Sequence, residues 1–116
     1  MNPIVISQTM KSATTKPVRL TGVRRIAVLK ALADPHRFEL LERIAKSGSP
    51  LGCAEARAAL PISAATLSHH IKELESAGLI QVRREGKFHF MTPRPGVIKG
   101  LIAVLAALDR DRHTEA

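Results

Sequence analysis

Between Ile62 and Thr92 the apolar positions change period once. Leu67, Ile71, Leu74 and Gly78 recur at the i, i+4, i+7 spacing of one buried helix face. Thr66, Ser68, His69, Lys72, Glu73 and Ser76 occupy the other face. Ser63 stands where a serine hydroxyl caps the first turn, and Gly78 where a left-handed stop is expected. From Leu79, Ile80 and Val82 a β pattern takes over. Arg83, Arg84, Glu85, Gly86 and Lys87 make a turn too charged to be core, and Phe88 to Thr92 return as a strand. Helix, glycine stop, strand, charged turn, strand is the order of a recognition helix followed by a β-wing.

Upstream, Thr21 is placed to cap a first helix running to about Ala33, with Val23, Ile26, Ala27, Leu29 and Ala33 as its apolar positions. Asp34-Pro35 starts a second helix with a capping carboxylate and a proline at the first helical position. That helix carries Phe38, Leu41, Ile44 and Ala45 and ends at Ser47-Gly48. Ser49 to Gly52 reads as a loop. Cys53 to Leu60 is a short third helix stopped by Pro61. After Pro93 and Pro95 a last helix runs from about Gly96 to Asp109. The expected order is ααααββα, a mainly α (α+β) winged helix-turn-helix. Residues 18–112 form its domain and residues 1–17 a flexible basic arm.

The last helix carries Val97, Ile98, Leu101, Ile102, Val104, Leu105 and Leu108 over an arc of roughly 160° at ~100° per residue. A helix packed on one side of a small domain needs less. The extra width predicts burial against both its own domain and a second copy.

At 116 residues the chain is one domain with a modest core. Its net charge of +8 and pI near 10.6 favour a polyanionic partner, nucleic acid first and anionic membrane second. Lys11, Lys16, Arg19, Arg24, Arg25 and Lys30 all precede the first acidic residue, Asp34, so the basic arm could track phosphates. No signal peptide is expected, and the longest apolar run, Leu101 to Leu108, is far below the ~20 residues of a membrane span. One cysteine excludes an internal disulfide framework and suits a reducing cytosol. The absence of Trp and Tyr, with only three Phe, argues against a single-strand-binding surface of stacked aromatics.

The residues set out to touch double-stranded DNA are Ser63, Ala64, Thr66, Ser68, His69 and Lys72 on the recognition helix and Arg83, Arg84 and Lys87 on the wing. Hydroxyls can donate to phosphates or accept from base edges, and a helix N-terminus attracts phosphate. His70 lies ~100° beyond His69 and is expected to pack beside Ile71 and Leu74. Arg83 and Arg84 alternate across a strand, one toward DNA and the other toward an acid such as Glu85. Cys53, at a helix N-terminus, is expected to have a depressed thiol pKa, which would suit a redox role. No nucleophile–base set, Gly-rich phosphate loop or paired carboxylate is present, so an enzyme is not expected, nor is a cofactor.

Leu32-Ala33-Asp34-Pro35-His36-Arg37, Ser63 through Leu74, Ala77-Gly78-Leu79-Ile80 and Arg84-Glu85-Gly86-Lys87 together resemble the ArsR/SmtB family of winged-helix repressors. The similarity runs from about Leu20 to Leu108. It implies a cytoplasmic homodimer built on the first and last helices, here Val23, Ile26, Val97, Ile98, Leu101, Ile102, Leu105 and Leu108. It also implies operator DNA released by an inducer, whose identity the residues do not give. Ser63, Ala64, Ser68 and His69 match the family's base-proximal positions, and Arg84, Gly86 and Lys87 its wing. Ala64 departs from a frequent polar side chain and offers only a methyl, so direct base readout is thin and DNA shape carries part of the specificity. The family's metal-ligand pairs are missing: Gly52 and Ala54 fall at the Cys-x-Cys positions, His113 lacks a Glu three residues on, and His36 and His89 are isolated, so no metal site is expected. The rival readings are a protein-interaction winged helix and a thiol-redox switch on the same scaffold.

Overall fold

The structure is a computed structural model that describes residues 15–114, with side chains through residue 110. Residues 1–14, most of the expected basic arm including Lys11, and the His113 side chain lie outside the described residues. The chain divides into two compact units, residues 21–94 and residues 15–20 with 95–114.

The first unit opens with α1, Gly22–Leu32, and α2, Pro35–Lys46. Thr21 precedes α1 in extended backbone, but its side chain makes no capping bond, and the next residue, Gly22, turns the chain through φ +52. The apolar stripe expected to pack in α1 is the outer one. Val23 is 87% exposed, with Ile26 and Leu29 also exposed, while Val28 and Ala31 are buried. Both stripes are apolar, so periodicity alone could not rank them. α2 begins as expected: Asp34 Oδ1 accepts from the Arg37 backbone N–H at 2.9 Å and Pro35 fills the first position. It buries Leu40, Leu41 and Ile44, and leaves Phe38 and Ala45 exposed, contrary to expectation.

Leu51–Gly52, expected as loop, is a two-residue strand β1 that pairs antiparallel with Met91 and Phe90. A strand this short has no period to detect, and its pairing is non-local. α3, Cys53–Ala59, follows directly and buries Ala56. α4, Ala64–Ser76, is the expected recognition helix. Ser63 Oγ accepts from Thr66 N at 3.1 Å, and Leu67, His70 and Leu74 form the buried face. Its end is a Schellman motif: Leu79 N bonds Leu74 O and Gly78 N bonds Glu75 O, both at 3.0 Å. Gly78 occupies the left-handed region at φ +79, which suits a residue without a Cβ. Leu74 and Leu79, the pair such a motif brings together, are both almost fully buried.

β2, Ile80–Glu85, and β3, Phe88–Pro93, form the wing. Arg83, Arg84 and Glu85 belong to the strand, so the turn is only Gly86-Lys87. Register decides which charges share a face. Arg83 lies opposite Phe90 and Arg84 opposite His89 in a sheet ordered β1-β3-β2. Met91 and Ile80 carry the sheet's inner face into the core, where α2 packs on β3 and α4 on β2.

The second unit is α5, Val97–Thr114, longer than the expected 96–109, with residues 15–20 along its start. Val18 N donates to Gly96 O at 2.8 Å, and Lys99 Nζ donates to Thr15 O at 2.9 Å. A Cβ at Gly100 would collide with the Val18 carbonyl oxygen, so glycine there permits the close approach. Residues 15–17, counted in the flexible arm, are therefore tied to α5. Among the described residues no helix is long and apolar enough to cross a membrane.

Candidate nucleic-acid interface

α4 presents Ser63, Ala64, Thr66, Ser68, His69 and Lys72 to solvent and turns Leu67, His70 and Leu74 inward. Ser63 is occupied twice by its own helix, accepting from Thr66 N and donating to Thr66 Oγ1 at 3.0 Å. Its role is to fix the first turn, which leaves the Thr66 hydroxyl hydrogen and Ser68 as outward donors. Ser68 and Lys72 lie ~40° apart around the helix and form one row. His69 stands beside that row, its Nε2 3.7 Å from Glu73 Oε1.

Both wing arginines face acids. Arg83 Nε lies 2.9 Å from Glu85 Oε2, two residues along the same strand face, and its guanidinium sits 5.3 Å from the ring centre of cross-strand Phe90. Arg84 points to the other face, where Nη2 is 3.7 Å from Glu75 Oε1 on α4. The sequence expected only one of the two to be paired. Lys87, at the turn, lies 5.6 Å over the Phe88 ring. Among the described residues Lys72 and Lys87 have no carboxylate partner, which leaves both open to a phosphate.

Between α3, α4 and the wing runs an open cleft of about 550 Å³. Ser68, Lys72 and Arg84 line it together with Arg57, His89 and Cys53. Sequence reasoning missed Arg57 and set His89 aside as isolated. The signal for His89 was the hairpin register, which puts it opposite Arg84. Arg57 gave no signal in the sequence, because only the packing of α3 beside the recognition helix turns it into this cleft. Cys53 is half-buried here, and burial pushes its thiol pKa up against the opposing pull of Arg84. The thiolate expected from its helix-start position is therefore disfavoured.

His70 was expected to pack among apolar neighbours, and instead it joins a polar cluster. Arg37 Nη1 lies 3.3 Å from His70 Nδ1, and Asp34 Oδ1 lies 3.7 Å from Nε2. Burial pushes the His70 pKa down, partly opposed by Asp34. The Asp34 carboxyl is held below the usual carboxylate range, chiefly by the Arg37 backbone N–H.

The apolar residues assigned to a dimer interface divide. Val97 and Leu101 are buried within the chain and are not open to a second copy. Ile98, Ile102, Leu105 and Leu108 on α5 are exposed, as are Val23 and Ile26 on α1. The wide apolar arc of α5 is thus two adjoining stripes, one covered and one open. Among the described residues no three His, Cys, Asp or Glu side chains group as a metal ion would need.

A helix-turn-helix domain model matches residues 32–83. The HTH-type transcriptional regulator MJ1325 of Methanocaldococcus jannaschii, itself uncharacterized, is 35% identical over 66 residues, which span 54% of this chain and 70% of that protein. A putative arsenical resistance operon repressor, ArsR, of Halobacterium salinarum is 32% identical over 89 residues, 76% of this chain and 65% of the relative. Among solved structures, Mb0332 from Mycobacterium bovis is a homodimeric winged helix-turn-helix DNA-binding domain and a possible ArsR-family transcriptional regulator. It is similar with a TM-score of 0.56 at 25% identity, covering 79% of this chain and 82% of that one.

Proposed function

Because the chain belongs to the ArsR family of helix-turn-helix transcriptional regulators, we propose that it acts as a homodimeric repressor in the cytoplasm. α4 enters the major groove of operator DNA, with Ser68, His69 and Thr66 toward base edges and phosphates. Lys72 and Lys87 hold the backbone. Arg57 and His89 extend the same basic surface along the cleft. Ala64 contributes a methyl, suited to a thymine C5-methyl.

What carries this reading is the pairing of an exposed polar helix row, Ser68 and Lys72, with a hairpin tip whose Lys87 has no acidic partner. The dimer reading is supported by the open stripe Ile98, Ile102 and Leu105 on α5 and by Val23 and Ile26 on α1, each apolar and exposed. It is also supported by the homodimeric state of the Mycobacterium bovis domain. A two-fold pair of recognition helices would read half-sites roughly 34 Å apart.

Fluorescence anisotropy tests the function. Purified protein is titrated onto a duplex from upstream of its own gene and onto a scrambled duplex, over a salt series. The expected result is a preference for the first and a log–log salt slope of several units. Equal, weak and salt-insensitive binding to both would instead favour a winged helix that docks a protein.

A further inference from the structure

His70 is the one buried polar side chain among the described residues, 5% exposed, in the middle of the helix assigned to DNA reading. It points ~200° away from both Ser68 and Lys72. Whatever holds its ring therefore sets the rotation of the helix and the direction of that row.

What holds it is Arg37. The guanidinium uses Nε to donate to Ala31 O at 2.6 Å and Nη2 to donate to Lys30 O at 3.2 Å, a carbonyl that also accepts from Ala33 N, so it binds two carbonyls at the end of α1. Its remaining nitrogen, Nη1, faces His70 Nδ1 at 3.3 Å. The start of α2 is fixed in turn by the Asp34 cap on Arg37 N. One side chain of α2 thus joins the end of α1 to the buried face of α4.

A guanidinium has only donors, so Nδ1 must accept. His70 is then neutral, with its hydrogen on Nε2 toward Asp34 Oδ1, 3.7 Å away. Adding a proton at Nδ1 sets two donors and two positive charges against each other, and the contact cannot persist. The groups facing the ring are Asp34, His36 and Arg37 from α2 and its cap, and His69 on α4 itself. Lys30 of α1 and Glu73 of α4 line the adjoining cleft with Arg37. Burial, Arg37, His69 and His36 oppose the charged ring, and only Asp34 favours it.

We propose that Arg37 and His70 are a positioning pair for the recognition helix, and that protonating His70 breaks the pair and lowers affinity for DNA in mild acid. This rests on the DNA-reading role assigned to α4. His69 neighbours the ring and belongs to the proposed DNA surface, so the test replaces it in both variants.

The experiment compares His69→Gln with His69→Gln/His70→Gln between pH 7.5 and 5, on the upstream duplex and the scrambled one. Gln can accept from Arg37 but cannot gain a proton. Both variants keep His89, so the difference between them reports His70: the single variant is expected to fall behind the double one by up to about tenfold per pH unit once His70 begins to charge. Equal acid loss in both overturns the proposal. A second measurement needs no DNA: imidazole nitrogen shifts of the full wild-type chain. His70 should show the Nε2–H tautomer at neutral pH and titrate below the ordinary histidine range. An Nδ1–H tautomer, or titration within the ordinary histidine range, overturns the pair whatever the duplex does. Failure of the wild-type chain to bind any duplex at pH 7.5 would count against the DNA-reading role, while the nitrogen shifts still decide the pair.

Discussion

Arg84 and Glu75 join the wing to the recognition helix, with Nη2 3.7 Å from Oε1 across the mouth of the cleft that holds Ser68 and Lys72. The pair is partly exposed, so in free protein it is worth at most about 1 kcal/mol. If the cleft meets DNA as proposed, the pair would compete with phosphate for the same guanidinium. Glu75→Gln should therefore tighten binding a few-fold and steepen the salt slope by about one unit as Arg84 becomes available. Anisotropy over a salt series checks it. Weaker binding with an unchanged slope would mean that the pair serves chiefly to hold the wing in place.

Lys87 and Lys72 should behave differently from Arg83. Replacing either lysine with alanine removes a cation that has no acid partner. Affinity should fall about equally on all sequences, and the salt slope should drop by about one unit each. Arg83 is already matched by Glu85 at 2.9 Å and stacked toward Phe90, so Arg83→Ala should change the slope less. The melting temperature should barely move for the lysine variants, which separates lost contact from lost fold.

Leu74 closes the recognition helix from inside. It is fully buried and supplies the carbonyl that receives Leu79 N. Leu74→Ala should cost about 2–5 kcal/mol in urea unfolding, since the cavity adds to the lost transfer energy. DNA binding should be lost in proportion to the unfolded fraction, with the same salt slope in what remains.

Stability should also follow pH through Asp34 and His70. The buried ring favours its neutral form, so the folded His70 pKa lies below the unfolded one. The unfolded chain then binds more protons, and the contribution is present in full above about pH 6.5 and is lost as pH falls below it. Asp34 is depressed as well, so its contribution holds above the usual aspartate range and is lost only in stronger acid. Thermal melts against pH should therefore show two separate declines. His70→Gln should remove the upper one and leave the lower.

The order of elements was legible because caps and stops are local. Ser63, Asp34-Pro35 and Gly78 each act within a few residues of themselves. The hairpin register then fixed which arginine faces which side. Contacts that join distant segments were not legible. Leu51–Gly52 becomes a strand only through Met91 and Phe90. Arg57 enters the cleft only when α3 lies beside α4. Arg37 and His70 are 33 positions apart, and neither residue alone announces a partner. α1 misled for a different reason: Val23, Ile26 and Leu29 mimic a core stripe, while Val28 and Ala31 form the real one.

The two stripes of α5 give the last prediction. Ile98, Ile102 and Leu105 recur at i, i+4, i+7 on the exposed side, and Val97 and Leu101 on the buried side. If the exposed stripe meets a second copy, a charge at Ile102 must be either desolvated or left in water, and separation of the copies is the cheaper outcome. Ile102→Glu should sediment as a monomer with an unchanged far-ultraviolet spectrum, and its operator affinity should fall sharply as the two half-sites are no longer read together. Val97→Ala acts inside the chain, so it should lower the melting temperature and leave the fully folded protein a dimer. A dimer that survives Ile102→Glu would move the interface away from this stripe.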